Sequence, residues 1–225
     1  MFYDQTFLLL IPAMILAVYA QYKVKSTYAK YSKVPSASGL TGEGAGRKLL
    51  NEAGLTSIPV ELTAGSLTDN YDPRDKTLHL SEAVFSSNSV AAIGVAAHEV
   101  GHAIQDSKAY FPLKLRNNIV PVANIGTTLA FPIFILGLFA GLPALMDIGI
   151  IAFSVAVAFT VITLPVEFNA SSRAIKLLGG GNYLNSEELS QAKQVLNAAA
   201  LTYVAATAMA VLNLMRLLAL RNSRD

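Results

Sequence analysis

The sequence predicts a mainly α-helical integral membrane protein, with about four transmembrane helices and a small α/β unit at the membrane surface. Two observations lead to this prediction. Apolar residues make up 53% of the 225-residue chain and charged residues only 14%, against roughly 25% charged residues in ordinary globular proteins. The apolar residues are also concentrated in four long stretches, a distribution that is typical of membrane spans.

Each apolar stretch has about the length that a helix needs to cross a bilayer. The stretches are residues 6–22, 119–142, 148–166 and 198–220. Only residues 143–147 separate the second stretch from the third, so these two should form a helical hairpin. The fourth stretch is interrupted by Asn213 and Arg216, although a long arginine side chain can reach the membrane interface. The sequence therefore predicts four spans.

Two polar regions lie between the spans, and we treat residues 1–225 as a single membrane domain. The first, residues 23–116, should contain the α/β unit. Its capping residues and apolar patterns predict a helix over 43–52, capped by Thr41, and a second helix over 89–105. Two short strands are predicted over 58–62 and 76–80. The second polar region, residues 167–194, connects the third span to the fourth.

Basic residues predict the orientation of the spans. The chain has 17 Lys and Arg residues, and none lies in residues 1–22 or at the hairpin tip. Because cytoplasmic loops carry an excess of Lys and Arg, both polar regions are expected in the cytosol of a multi-pass cell-membrane protein. A complete fourth span would place Arg221 and Arg224 outside, but the basic residues elsewhere outnumber them. The first stretch has basic residues only after it, unlike a signal peptide, so we interpret it as an uncleaved anchor.

Composition excludes several kinds of site. The chain has no Cys, which excludes thiolate metal ligands and a cysteine nucleophile. Its formal net charge of +2, without a dense Lys/Arg cluster, argues against a nucleic-acid partner. Any metal must therefore be held by Asp, Glu or one of the three histidines, which are His79, His98 and His102.

The H-E-x-x-H pattern at His98-Glu99-Val100-Gly101-His102 is the strongest chemical signal in the sequence. Two histidines four residues apart lie on one face of a helix, so both imidazoles can bind one metal ion. Zn²⁺ lowers the pKa of a bound water to about 7, and the neighbouring Glu99 can act as its general base. Three polar side chains in an otherwise uncharged helix would be costly to bury without a role. The pattern therefore predicts a zinc site.

A catalytic zinc also needs a third protein ligand and one open position. Glu167 directly follows the third span, and the hairpin of the second and third spans returns the chain to the face that it left. We therefore predict Glu167 as the third metal ligand. The other candidates are His79, Asp106, Asp147, Glu187 and Glu188. His79 alternates with two leucines and should be a surface residue, and the two glutamates resemble first-turn acids of an exposed helix.

Two segments carry a resemblance to a known family: His98-Glu-Val-Gly-His-Ala-Ile-Gln105 and Leu164-Pro-Val-Glu-Phe-Asn-Ala-Ser171. Over essentially the whole chain, the sequence resembles the YugP-type membrane zinc proteases. It is more distantly similar to the gluzincins that include HtpX and the CAAX prenyl proteases. This resemblance implies a zincin-like catalytic unit, Glu167 as third ligand, a strand beside the catalytic helix, and endopeptidase activity.

The sequence departs from the wider gluzincin group at one position. That group has an aspartate four residues after the ligand glutamate, where it braces a zinc histidine, whereas this chain has Ser171. Either Ser171 or Asn169 can brace a histidine by hydrogen bonding instead. Arg173, further along the same segment, can steady an oxyanion or substrate carboxylate, or bind a carboxylate or lipid phosphate.

Two functions of different classes fit these observations. The first is a zinc-dependent membrane endopeptidase that acts on peptides or membrane proteins beside the lipid bilayer, with a substrate segment pairing with strand 76–80. The alternative is a catalytically silent membrane scaffold or chaperone-like protein with a structural zinc site. A structural site has four protein ligands and needs no Glu99, which favours the enzyme. A metal transporter is disfavoured because the histidines lie outside the predicted spans.

Overall fold

The computed structural model describes residues 5–181 and 183–223 and is 76% helical. A 3₁₀ turn over Gln5–Leu10 precedes the first helix. The elements are α1 (Ile11–Tyr31), α2 (Gly42–Glu52), β1 (Val60–Thr63), β2 (Asn70–Asp72), β3 (Thr77–Ser81), α3 (Glu82–Phe85), α4 (Val90–Ser107), α5 (Phe111–Ala140), α6 (Pro143–Gly180) and α7 (Ser186–Asn222). The predicted class, mainly helical with a small sheet, is confirmed.

Four helical segments are long and apolar enough to cross a membrane by length and composition: Thr6–Tyr31, Phe111–Ala140, Pro143–Gly180 and Ser186–Asn222. All four continue well beyond the apolar stretches at one end or both, because the adjoining residues extend the same helices. α7 runs without a break through Asn213 and Arg216. The chain divides into two compact units, described separately below.

The first unit comprises the described residues of 1–21, 114–165 and 202–225. Within it, Phe134, Met146, Ile150 and Leu217 form a buried apolar cluster. Arg221 near the end of α7 donates from Nε to Asp147 Oδ1 at 2.9 Å. Because Asp147 lies at the tip of the α5–α6 hairpin, the α7 helix extends along the unit as far as this tip.

The second unit comprises residues 22–113 and 166–201, apart from the undescribed residue 182. Its three-stranded sheet has the order β1-β3-β2, with β1 parallel and β2 antiparallel to β3. α2 and α4 pack with the sheet around a core that includes Leu49, Leu78 and Ile93. Since β3 has a partner on both sides, the expected pairing of a substrate with strand 76–80 is wrong.

Local capping signals explain where the helices of this unit begin. Thr41 Oγ accepts a hydrogen bond from the Gly44 amide at 3.1 Å, as predicted. At the start of α4, Ser89 Oγ accepts a hydrogen bond from the Ala92 amide at 3.2 Å. These caps satisfy amide groups that have no partner within the helix.

The start of α7 differs from the expectation. Glu188 is only 7% exposed, so its interpretation as an exposed first-turn acid is wrong. Its carboxylate accepts hydrogen bonds from the amides of Asn185 and Ala37 at 2.8 and 2.7 Å, and its own amide donates to Asn185 Oδ1 at 2.9 Å. This is a capping box with a further bond to the segment that follows α1.

Candidate metal centre

The α4 helix presents both histidines of the motif on one face. It is buried along most of its length, because α2, the sheet and the later helices of the same unit surround it. The rings of His98 and His102 lie with centroids 4.8 Å apart and planes at 89°. The helical spacing therefore places the two imidazoles side by side, as the motif predicts.

Gly101 allows α6 to approach α4 closely. A Cβ atom at this position would lie 2.6 Å from the carbonyl oxygen of Ala170, closer than real Cβ atoms come. A Cβ at Gly94 would lie 3.5 Å from that of Ala192, which is an ordinary contact. Of the two glycines in this helix, only Gly101 is therefore required for close packing, and it brings Glu167 on α6 to the histidine pair.

The three predicted ligands converge. Glu167 Oε2 lies 3.2 Å from His98 Nε2 and 3.6 Å from His102 Nε2. All three ligand atoms lie within 4.8 Å of one another. Zn–N and Zn–O bonds of about 2.0–2.2 Å in a tetrahedron separate neighbouring ligand atoms by roughly 3.3–3.6 Å. The spacing of the carboxylate oxygen from both nitrogens fits one zinc ion.

Gln105 determines which nitrogen of His102 is free for a metal. Its side chain is fully buried, and its Nε2 donates to the Val166 carbonyl at 2.8 Å and to Asn169 Oδ1 at 3.0 Å. Since a carbonyl can only accept, the amide nitrogen faces Val166 and the Gln105 Oε1 faces His102 Nδ1, at 3.0 Å. His102 Nδ1 therefore carries the proton, which leaves the lone pair of Nε2 for zinc.

Ser171 occupies the corresponding position behind His98, with its Oγ 3.1 Å from His98 Nδ1. Of the two braces considered from the sequence, Ser171 contacts a histidine directly, and Asn169 supports Gln105. Sequence reasoning did not identify Gln105. The sequence feature that could have identified Gln105 is its position, as a polar residue with no assigned role, three residues after the second histidine of an apolar helix.

Glu99 lies beside the three ligands and outside their group. It is 8% exposed, and its Oε2 accepts a hydrogen bond from the Tyr71 amide of β2 at 3.0 Å. Burial raises the pKa of the Glu99 carboxyl above its usual range, and the nearby imidazoles offset only part of this effect. A buried carboxylate with a raised pKa is suited to accept a proton. The strand expected beside the catalytic helix is β2.

The other candidate ligands have different partners. His79 Nε2 lies 3.4 Å from Asp75 Oδ2, and Asp106 Oδ2 accepts from the Tyr71 hydroxyl at 2.9 Å. Asp147 pairs with Arg221 in the other unit. Arg173 Nε donates to Asn169 Oδ1 at 2.7 Å. Among the residues that the structure describes, the His98, His102 and Glu167 group includes none of these four.

Comparison with known proteins agrees with this geometry. A family model described as "Putative neutral zinc metallopeptidase" matches residues 6–222. The chain belongs to this family. It is also 46% identical over 218 residues to the "Putative membrane protease YugP" of Bacillus subtilis (strain 168), covering 96% of this chain and 97% of that protein. No solved structure matches.

Zinc is the cofactor of this neutral zinc metallopeptidase family member. Two imidazole nitrogens and one carboxylate oxygen form a donor set that catalytic zinc sites use, and the group in this chain offers that set. The hydrogen bond that Gln105 Oε1 accepts from His102 Nδ1, and the one between Ser171 Oγ and His98 Nδ1, support the two imidazoles on the side away from Nε2. The residues therefore fit the metal in number and type, and the Glu167 carboxylate oxygen lies at a suitable spacing from both histidine nitrogens.

Proposed function

We propose that this chain is a zinc-dependent endopeptidase that hydrolyses peptide bonds in membrane proteins or extended segments at the cytosolic membrane surface. The observation that supports it most is the convergence of His98 Nε2, His102 Nε2 and Glu167 Oε2, with Glu99 buried next to them. Three protein ligands leave one position of a tetrahedron for a reacting molecule, as in catalytic zinc sites. A structural site has no comparable use for Glu99.

The residues of the site have separate roles in this proposal. His98, His102 and Glu167 hold the metal. When bound, zinc supplies Lewis acidity, which polarises a carbonyl oxygen and makes water more acidic. Glu99 accepts the proton of water as the water oxygen bonds to the peptide carbonyl carbon. It then donates this proton to the leaving nitrogen as the C–N bond breaks.

The supporting contacts keep these groups in place. The Tyr71 amide holds the Glu99 carboxylate, while Gln105 and Ser171 hold the Nδ1 sides of the two imidazoles. Because all three supports come from helices or strands of one unit, β2, α4 and α6, the site is organised before a substrate binds. Preorganisation of this kind lowers the cost of reaching the transition state.

The proposed activity is tested with full-length protein purified in detergent. We expect about one zinc per chain by elemental analysis and cleavage of a casein-type substrate. A chelator should remove both zinc and activity, and added zinc should restore both. Protein that keeps its zinc and cleaves none of a broad panel of unfolded and membrane-protein substrates would contradict the enzyme and favour the scaffold.

Membrane placement belongs to the same proposal. The four long helices expose many large apolar side chains, including Ile15, Phe139 and Ile151, which is the expected surface of helices in lipid. Of the 17 Lys and Arg residues, 11 lie in residues 23–116, three in 167–194, three in 198–225 and none in 1–22 or at the hairpin tip. With the positive-inside rule, this distribution supports a multi-pass protein of the cell membrane with its metal centre in the cytosol.

Thiol labelling in intact cells tests the orientation. Ser66 is exposed between β1 and β2, so Ser66→Cys should react with a membrane-permeant reagent and resist an impermeant one. Ser36 is a poorer reporter because it is only 6% exposed. The chain has no native cysteine that would interfere.

A cysteine at the hairpin tip provides the matched control. Ala144 is exposed there, and Ala144→Cys should react with both reagents. The reverse pattern, with Ser66→Cys open to the impermeant reagent, would place the metal centre outside the cell and refute the charge-based orientation.

A further inference from the structure

A second cavity lies in the same unit as the metal centre, between α6 and α7. Its volume is about 300 Å³. The side chains that line it include Phe168, Lys176, Lys193, Leu196 and Ala200. It is open to the surface along one side, because both lysines and Phe168 are exposed. Of its lining residues, only Ser171, which contacts His98, has a part in the proposed hydrolysis.

Along both helices the lining has an apolar residue at one end and a lysine at or near the other, with Ser171, Ser172 and Asn197 among the residues between them. On α6, Phe168 comes just after the apolar stretch 148–166, and Lys176 lies about 12 Å further along, at roughly 1.5 Å per residue. On α7, Ala200 lies at the start of the apolar stretch 198–220, and Lys193 precedes it by about two turns. Both helices therefore place apolar side chains next to the proposed membrane span and a lysine at the far end of the cavity.

The cationic end of the cavity has no acidic counterpart. Among the residues that the structure describes, neither Lys176 nor Lys193 forms a salt bridge, and no carboxylate lines the cavity. Lys176 also borders a neighbouring cavity of about 240 Å³, together with Lys108 and Arg173. That cavity has no acidic lining residue either. The charge of this surface is complementary to an anion.

We infer that the cavity between α6 and α7 binds one anionic phospholipid. Its phosphate lies between Lys176 and Lys193, and the first part of an acyl chain lies along Phe168, Leu196 and Ala200. A phospholipid has a negatively charged phosphate at one end and hydrocarbon at the other, which matches the order of the two lysines and the apolar lining residues. Clusters of basic residues just beyond a membrane span commonly bind anionic lipid headgroups.

A peptide fits this cavity less well. Extended peptides are commonly bound through the free edge of a strand, whereas the walls here are the side chains of two helices.

The cavity also has a structural connection to the metal centre. Ser171 lines it, and the Oγ of Ser171 lies 3.1 Å from His98 Nδ1. A bound lipid would therefore lie behind the histidine, on the side opposite Nε2.

Native mass spectrometry of the full-length protein in detergent tests the inference, with phosphatidylglycerol and phosphatidylcholine as probes. We expect one phosphatidylglycerol to bind in preference to phosphatidylcholine. Lys176→Gln/Lys193→Gln should bind it about 30-fold more weakly, since each lysine near an anionic lipid contributes roughly fivefold. Both lysines are exposed, so this variant should fold normally.

Two comparisons make the result specific. Lys48→Gln/Lys76→Gln removes the same charge from exposed positions of the same unit that do not adjoin a proposed span, and this variant should bind phosphatidylglycerol like the wild type. Ser172→Phe, at an exposed residue that lines the cavity, should weaken lipid binding without changing charge.

Three outcomes would overturn the inference. The first is equal loss of binding in both lysine pairs, which would indicate nonspecific attraction to anionic lipid. The second is displacement of the lipid by millimolar inorganic phosphate, because the site would then recognise a free anion. The third is unchanged lipid binding in Lys176→Gln/Lys193→Gln together with a raised KM for peptide cleavage, which would assign the cavity to substrate. The first two are read from binding alone, so they do not depend on the proposed activity.

Discussion

Glu99→Gln should reduce peptide hydrolysis by at least about 10²-fold, the low end for removal of a general base, while zinc content stays at the wild-type level. Glutamine has nearly the same shape as glutamate and can still accept the hydrogen bond from the Tyr71 amide. It cannot take a proton from water. Because Glu99 is outside the ligand group, metal binding should be unaffected. Cleavage rate and elemental zinc are measured on the same preparation.

Glu61→Gln is the matched control for this variant. Glu61 lies on β1 and is exposed, so the same chemical change there should leave both cleavage and zinc content unaltered. Turnover that persists in Glu99→Gln would refute Glu99 as the base. Loss of zinc together with activity would instead show that Glu99 supports the metal.

Glu167→Ala should lose both zinc and activity. The Glu167 carboxylate lies within 3.2 and 3.6 Å of the two histidine nitrogens, and two imidazoles without it leave the metal with an incomplete site. Glu167 is only 3% exposed, so the alanine variant also creates a cavity. Glu167→Gln avoids this, because it keeps the volume while replacing the carboxylate with a much weaker ligand. Zinc should be absent from both variants after purification, and Glu167→Gln should melt near the temperature of the zinc-free wild type, because bound zinc stabilises the folded state.

Variants of the other candidate metal ligands, and of the residues that support the histidines, serve as controls for Glu167→Ala. Glu187→Ala and Asp106→Ala should keep zinc, and Gln105→Leu and Ser171→Ala should lie between them and Glu167→Ala. The loss of a group that supports a metal ligand typically costs about 10- to 100-fold in affinity or activity. Retention of zinc by Glu167→Ala together with its loss from His79→Ala would show that the strand histidine is the ligand.

Much of the metal centre followed from local signals and one topological argument. The helix carrying His98 and His102 begins at a side-chain cap that can be read directly from Ser89. The proximity of Glu167 to these histidines could be predicted because a hairpin of two spans returns the chain to the same side. The tautomer of His102 could not be predicted, since it depends on Gln105 reaching across to the Val166 carbonyl.

The sheet shows where sequence signals were insufficient. β2 contains Asn70 and Asp72, residue types that are typical of turns, and the sequence signals predict no strand there. It becomes a strand because it pairs with β3, and such pairing depends on tertiary context more than on intrinsic preference. The central position of β3 was missed for the same reason. Glu188 was misread because burial of a carboxylate at a helix start requires the Ala37 amide from a distant segment.

The second unit is formed by two separate stretches of the chain, and this affects the order in which its residues are synthesised. Its residues come from 22–113 and from 166–201, and the hairpin lies between the histidines and Glu167 in the chain. A ribosome therefore releases both histidines and Glu99, the proposed general base, long before Glu167. In the proposed membrane topology, Glu167 becomes available only after the hairpin has emerged and been inserted. The growing chain thus lacks a complete zinc site until insertion is nearly finished, and the proposed peptidase activity would be absent during that time.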